Sequence, residues 1–431
     1  MSKWSLFLRR APRRIWFRAV LFSVVAVGLA LASKLLAPWL PSQLEVDVGQ
    51  GSVSGILQIL ASSMLAVTTF SLTAMVSAYS AAATLGTPRA TQLLMEDRSS
   101  QNALSTFLGA FLFSIVGIIA LSIGFYGERG RILLFAGTVV VIVVIVVTLL
   151  RWITHITSFG RMSDVIDRVE RAACDVARAW RSSPHLGGAA PRATQVGATP
   201  LFTTSTGYVT HIDVGALQSM AEKGDWRLHV RALPGSLVHP GRILAHVESA
   251  QALDGADLEA LLGAFVVERH RTFEQDPRLG LVTLAEIGSR ALSPAVNDPG
   301  TAIEALNALH RIFRVLLAGS GGRPEGDAPR PASDRVHLPV PGLGDMVEDA
   351  FRPLARDGAG TIEVLLRMVK TLQALAAAAD AADRQVFLDM ARDVAERGLD
   401  GLAHAQDRRV LERLVADGGL AVDRAFAAPR T

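Results

Sequence analysis

The chain has 431 residues, half of them hydrophobic, a formal charge of only +3 and a single cysteine. That length admits two or three domains, and a mean hydropathy of +0.33 exceeds what an ordinary soluble protein carries. The balanced charge gives no basis for nucleic-acid binding, and Cys174 alone excludes both an intramolecular disulfide and a thiolate metal cluster.

In chain order, Lys3, Arg9, Arg10, Arg13, Arg14 and Arg18 precede an apolar run that ends at Leu36. A signal peptide shows the same order of charge, but this run is long enough to cross a bilayer uncleaved, and three more apolar runs follow. Spans are expected at about 16–36, 56–79, 104–125 and 132–150, giving a four-helix transmembrane domain over 1–155. The basic N-terminus, Glu45 and Asp47 after the first span, and Arg151 and Arg161 after the fourth predict a multi-pass protein of the bacterial inner (plasma) membrane. Both termini are then cytoplasmic.

The stretch from Val48 to Pro88 lacks any charged side chain yet is full of hydroxyls. At about 100° per residue, Gln58, Ser62, Thr69, Thr73, Ser77 and Ser80 fall in one arc of the second span. A polar face in hydrocarbon needs a partner, so this helix is expected inside a bundle and not against lipid. Gly109, Ala110, Ser114, Gly117 and Gly124 make the third span its natural neighbour, since small residues permit close approach. The fourth span, with its valine and isoleucine run from Val139 to Val147, has no polar face and is expected to meet lipid. Helix packing alone accounts for the hydroxyl stripe; a path for ions or small solutes is the other reading.

Beyond the membrane, Met162, Val165, Ile166, Val169, Ala173, Val176 and Trp180 recur at helical spacing and predict an amphipathic cytoplasmic helix over 156–182, after a break at Gly160. Residues 183–200 are rich in Gly, Ala and Pro and read as a linker. Within 201–250, Leu228 and Val230 alternate with Arg227, His229 and Arg231, while Pro234-Gly235 and Pro240-Gly241 mark turns, which predicts a small β-module. Biotinyl and lipoyl carriers have similar small barrels, but the one lysine near, Lys223, falls in a helical pattern, so no covalent cofactor is expected. Residues 251–318 read as helices around a Ser293-Pro294 to Asn297-Asp298-Pro299 turn, 319–336 as a flexible insert, and 337–431 as C-terminal helices.

The densest polar group of the soluble part contains Arg271, Asp276, Arg290, Ser293, Asn297 and Asp298. It reads either as an anion pocket beside a helix N-terminus or as a turn capped by Asp298 and pinned by an Arg–Asp pair. His229, His239, His246 and His270 lack the close spacing of metal ligands, and the sequence has no phosphate loop, dinucleotide fingerprint or nucleophile elbow. Neither catalysis nor a bound metal or cofactor is expected.

Three groups of residues carry a family resemblance. They are Phe70-Ser71-Leu72-Thr73 with Thr87-Pro88-Arg89 and Glu96-Asp97-Arg98; Leu233-Pro234-Gly235 with Pro240-Gly241; and Arg271-Thr272-Phe273-Glu274-Gln275-Asp276-Pro277 with Arg290-Ala291-Leu292-Ser293-Pro294-Ala295-Val296-Asn297-Asp298-Pro299. Over most of its length the chain is similar to the bacterial membrane-protein family catalogued as domain of unknown function 2254. The resemblance implies four spans and a cytoplasmic C-terminal part, and it brings no activity or ligand with it. The expected fold class is an α-helical polytopic membrane protein with four transmembrane helices and a cytoplasmic, mainly α, partly β C-terminal region. The lipid bilayer and further copies of the chain are the expected partners, and no nucleic acid is. Two functions stay open: an oligomeric channel or transport-type protein with span two lining the path, or a membrane-anchored scaffold or ligand-sensing protein.

Overall fold

The computed structural model describes residues 15–36, 50–85, 87–95, 97–158, 160–318 and 332–419. The basic segment before Ile15, the acidic pair Glu45 and Asp47, and residues 319–331 of the expected insert lie outside the described residues. The described residues form two compact units, one from those up to 84 together with 91–164, the other from those of 85–90 and from 165 onward.

The first unit is helical: α1 (Ile15–Leu36), α2 (Gln50–Leu85), most of α3 (Pro88–Met95), α4 (Arg98–Ser122) and α5 (Glu128–Ser158). Among the described residues, three stretches are long and apolar enough to cross a bilayer: Gly51–Ser80, Arg98–Ser122 and Glu128–Thr157. The expected first span is a helix, but its described apolar stretch is the shorter Ala19–Gly28. Three candidate spans thus stand among the described residues, and a fourth is not confirmed. Helix α2 outruns the expected 56–79 because neither flank holds a proline to stop it; Pro88 then takes the first position of α3.

Helix α4 is the central one, half buried along its length, against 28% for α2 and 17% for α5. Glycines allow this. A Cβ on Gly117 would stand 3.0 Å from Leu57 Cδ1 of α2, and one on Gly109 would stand 3.3 Å from the Phe22 carbonyl oxygen of α1. Val53, Leu57, Phe113 and Leu134 form one apolar cluster, and Met64, Met75, Phe107 and Trp152 a second. Val140, Val143 and Val144 of α5 are exposed, the apolar rim that the sequence pattern predicts.

In the second unit, α6 (Met162–Ser182) begins after Gly160, whose φ of +80° breaks the helical path, and buries Val165, Val169, Val176 and Trp180 along one stripe. The stretch 183–200 is more than a linker. After a turn at Pro184–Gly187 it supplies β1 (Gly188–Ala189) and β2 (Thr199–Phe202), two short strands whose few residues show no alternation to read. Strands β3 (Gly207–Ile212), β4 (Arg227–Val230), β5 (Leu237–Val238), β6 (Ile243–Glu248), β7 (Phe265–Glu268) and β8 (Ser333–His337) complete two sheets. Their orders are β1-β8-β4-β6-β2 and β5-β3-β7. The β-module thus reaches beyond 201–250, and the end of the expected insert is a central strand. Val209, Leu228, Val230, Leu244, Val247 and Val336 share a core with Leu217 of α7 (Val214–Gly224), the helix that carries Lys223, and Leu261 of α8 (Gly255–Gly263).

The remaining helices are α9 (Leu279–Ala291), α10 (Pro299–Leu317), α11 (Leu343–Asp357), α12 (Ile362–Ala378), α13 (Ala381–Gly401) and α14 (Ala405–Asp417). Helix α9 packs on α10 and α11, and α13 on α11 and α12. At their centre Phe313 stacks on Phe351 at 5.6 Å and meets Phe387 edge-on at 5.7 Å, all three fully buried.

Candidate functional site

Gln58, Ser62, Thr69, Thr73, Ser77 and Ser80 share one face of α2, and in a single chain that face is exposed. The buried face carries Val53, Leu57, Leu60, Ala61, Met64, Ser71 and Met75. The expectation that the stripe lies inside the bundle is corrected for one copy: the apolar face of α2 packs against side chains of α4 and α5 instead. Three of the outward hydroxyls bond to their own helix. Ser62 Oγ donates to Gln58 O and Ile59 O at 3.1 Å, Thr69 Oγ1 to Leu65 O at 3.0 Å, and Thr73 Oγ1 to Thr69 O at 3.0 Å. Such bonds occupy each hydrogen and leave oxygen lone pairs pointing outward. Ile59, Leu65, Phe70, Leu72 and Val76 are exposed beside them.

A polar group that the sequence pattern did not flag ties α4 to α5. Asp97 caps α4 by accepting from Ser100 N at 2.7 Å, and its Oδ2 also lies 2.9 Å from His155 Nε2. Ser100 Oγ approaches the same nitrogen at 3.3 Å. Because hydroxyl and carboxylate share one imidazole nitrogen, this is no Ser–His–Asp relay, which requires both ring nitrogens. Its signal in the sequence is an ionisable residue at the edge of each of two apolar runs.

The six candidates of the second unit do not form one site. Arg271 and Asp276 sit at the start of α9, where Asp276 Oδ2 accepts from Arg271 Nε at 2.6 Å and Oδ1 from Arg271 Nη2 at 3.0 Å. The same Oδ1 takes Arg278 N at 3.0 Å and Leu279 N at 3.2 Å, so this carboxylate caps the helix. Arg290, Ser293, Asn297 and Asp298 lie at the other end, about 20 Å away by the rise of the helix. There Ser293 Oγ donates to Arg290 O at 2.7 Å, Asn297 adopts φ +48°, and Asp298 caps α10 through Thr301 N at 3.1 Å. The Thr301 hydroxyl, followed by its amide, holds the Asp298 carboxyl below the ordinary value of 3.8. The N-cap followed by proline is as the sequence predicts; the arrangement is that of two separate helix caps.

Membrane-length helices with an apolar rim, joined in one chain to a unit of helices and short strands, define the class: a helical membrane protein. The chain belongs to the family of predicted membrane proteins DUF2254, whose model matches residues 12–374. It is 24% identical over 339 residues to an uncharacterized protein of Mycobacterium bovis and, to the same extent, to one of Mycobacterium tuberculosis strain H37Rv. The match covers 76% of this chain, and the chain spans 64% of the length of these relatives. No solved structure matches.

Proposed function

We propose that this protein is a homo-oligomeric channel or transport-type protein of the bacterial inner membrane, in which the polar face of α2 lines a path between copies for ions or small solutes. In this reading α1 also crosses the bilayer, both termini are cytoplasmic, and the protein carries out no catalytic step. One observation carries it: six polar side chains, Gln58 to Ser80, stand exposed on a membrane-length helix of a single copy. Back-bonding quiets the hydroxyl hydrogens but not the Gln58 amide or the outward oxygens, and hydrocarbon offers neither a partner. A second copy or water supplies both. Purified protein in sealed vesicles is expected to pass small ions, and Thr69→Leu with Thr73→Leu to reduce that flux while Ser62→Cys cross-links between copies. A monomer in nanodiscs that passes nothing would sink the idea.

A second reading, a membrane-anchored scaffold or ligand sensor, is favoured by a groove of about 510 Å³ in the second unit lined by Glu286, Ser289, Glu348, Asp349, Arg352 and Arg356. Its test is a ligand-induced thermal shift that Arg352→Ala abolishes.

A further inference from the structure

The alternation in β4 predicts a solvated polar face, yet His229 on that face is only 3% exposed. Register explains what surrounds it. His229 of β4 is paired with His246 of β6 on one side and with His337 of β8 on the other, so three imidazoles stand in a row across three adjacent strands. The rings of His229 and His337 are stacked at 5.1 Å and 14°. Glu248, two residues beyond His246 on the same face, places Oε1 2.9 Å from His229 Nε2, an ion-pair distance without hydrogen-bond alignment.

Residues 190–197, which join β1 to β2, lie over this row and are fastened to it. Ala190 O lies 2.8 Å from His337 Nδ1, which must therefore carry a hydrogen. Gln195 N donates to Glu248 Oε1 at 2.8 Å, and Arg231 Nη2 donates to Thr194 Oγ1 at 2.9 Å. Two of these three ties end on a titratable side chain. Beneath the segment the face is short of partners, since Glu248 Oε2 and His246 Nδ1 are buried without a hydrogen bond.

We propose that residues 190–197 form an acid-released strap: closed over the His246–His229–His337 row near neutral pH, and freed when His229 and His246 take up protons. The charges that face the row decide this. Arg192 of the strap acts on both His229 and Glu248, Arg231 acts on His246, and Arg227 is paired in register with Glu248. Arg335 of β8 is engaged with Asp225, and β2 contributes uncharged Pro200 opposite His246. One carboxylate, Glu248, can offset one imidazolium. A second leaves net positive charge in a buried layer already flanked by arginines, and lifting the strap lets water reach it.

The direction follows from the individual groups. Burial, aided by Arg192 and His337, holds His229 below the ordinary 6.5 against the pull of Glu248; burial and then Arg231 do the same to His246. Histidines depressed in the closed state bind fewer protons than in the open state, so closure is strongest above 6.5 and weakens as pH falls below it. Burial raises the Glu248 carboxyl, but the Gln195 amide and His229 outweigh it, so Glu248 sits below 4.5 and stays an acceptor for the strap through this window.

The test is amide hydrogen exchange on the full-length protein in nanodiscs, corrected for the intrinsic effect of pH on exchange. Between about pH 7.5 and pH 5.5, protection in 190–197 is expected to fall about tenfold while that of α12 stays constant. His229→Gln with His246→Gln should hold the strap's protection level across that range, and His246→Gln alone, at a half-buried position, should weaken the fall with little risk to folding. Equal protection at both pH values in the unaltered protein overturns the proposal, as does an undiminished fall in the double variant.

Discussion

His155, in the last turn of α5, meets the carboxylate of Asp97 at 2.9 Å, and Asp97 is at the same time the N-cap of α4. One side chain thus starts one membrane helix and fastens it to the next. Asp97→Asn keeps an acceptor for Ser100 N but loses the charge facing the imidazole, whereas Asp97→Ala loses both. The alanine variant is expected to lose about 1–3 kcal/mol and the asparagine variant less, ranked by thermal unfolding in detergent. Equal losses would show that the charge facing His155 matters and the cap does not.

Asp276 is 2% exposed and holds Arg271 together with two amides at the start of α9. Asp276→Ala leaves a guanidinium without its counter-charge and a helix start without its cap, so a loss of about 3–5 kcal/mol is expected from denaturant unfolding. The reverse change, Arg271→Ala, should cost less, because the carboxylate retains its amide donors. Gly235, with φ +90°, packs against the same carboxylate, and a Cβ there would collide with it. Gly235→Ala is expected to be as damaging as the loss of Asp276.

Gly117 of α4 makes room for the Leu57 side chain of α2. Gly117→Val pushes two methyl groups into Leu57 and should cost about 1–3 kcal/mol by overpacking. The companion change Leu57→Ala should restore part of the loss. If the pair is only additive in thermal unfolding, the two positions are not in contact.

Cys174 is buried on α6, and burial, then the charge of Glu170, raises its thiol above the ordinary 9.0. At about pH 8 little thiolate forms and reagent has no access, so maleimide labelling of the native protein should be slow and become rapid on denaturation. Because the ionised thiol is disfavoured in the folded protein, its contribution to stability is retained below the unfolded pKa and declines as pH rises past it. Fast native labelling would place Cys174 at the surface.

Periodicity revealed what depends on a long, repeated signal: the uncharged run of α2, the valine run of α5, and the stripe from Val165 to Trp180 on α6. Asp298 with Pro299 was legible as a helix start because cap chemistry is local. Strands β1, β2 and β8 were not, since two to five residues carry too little pattern and their pairing comes from distant sequence. Grouping Arg271 with Arg290 failed for a related reason: they are neighbours in composition but separated by the length of α9. For the α2 stripe, helical spacing located the face, but the side turned inward is set by its apolar residues, which meet Phe107 and Phe113 of α4 and Leu134 and Trp152 of α5.

The trio Phe313, Phe351 and Phe387 bears on where this protein can be cut. The stretch matched by the family model ends at residue 374, within α12, while Phe387 comes from α13 beyond it. An expression fragment trimmed to that boundary would remove the ring that meets Phe313 edge-on and leave a void of aromatic size against α10 and α11. The end of the matched stretch and the edge of the folding unit fall in different places, and a fragment of the second unit has to run past the former to retain the latter.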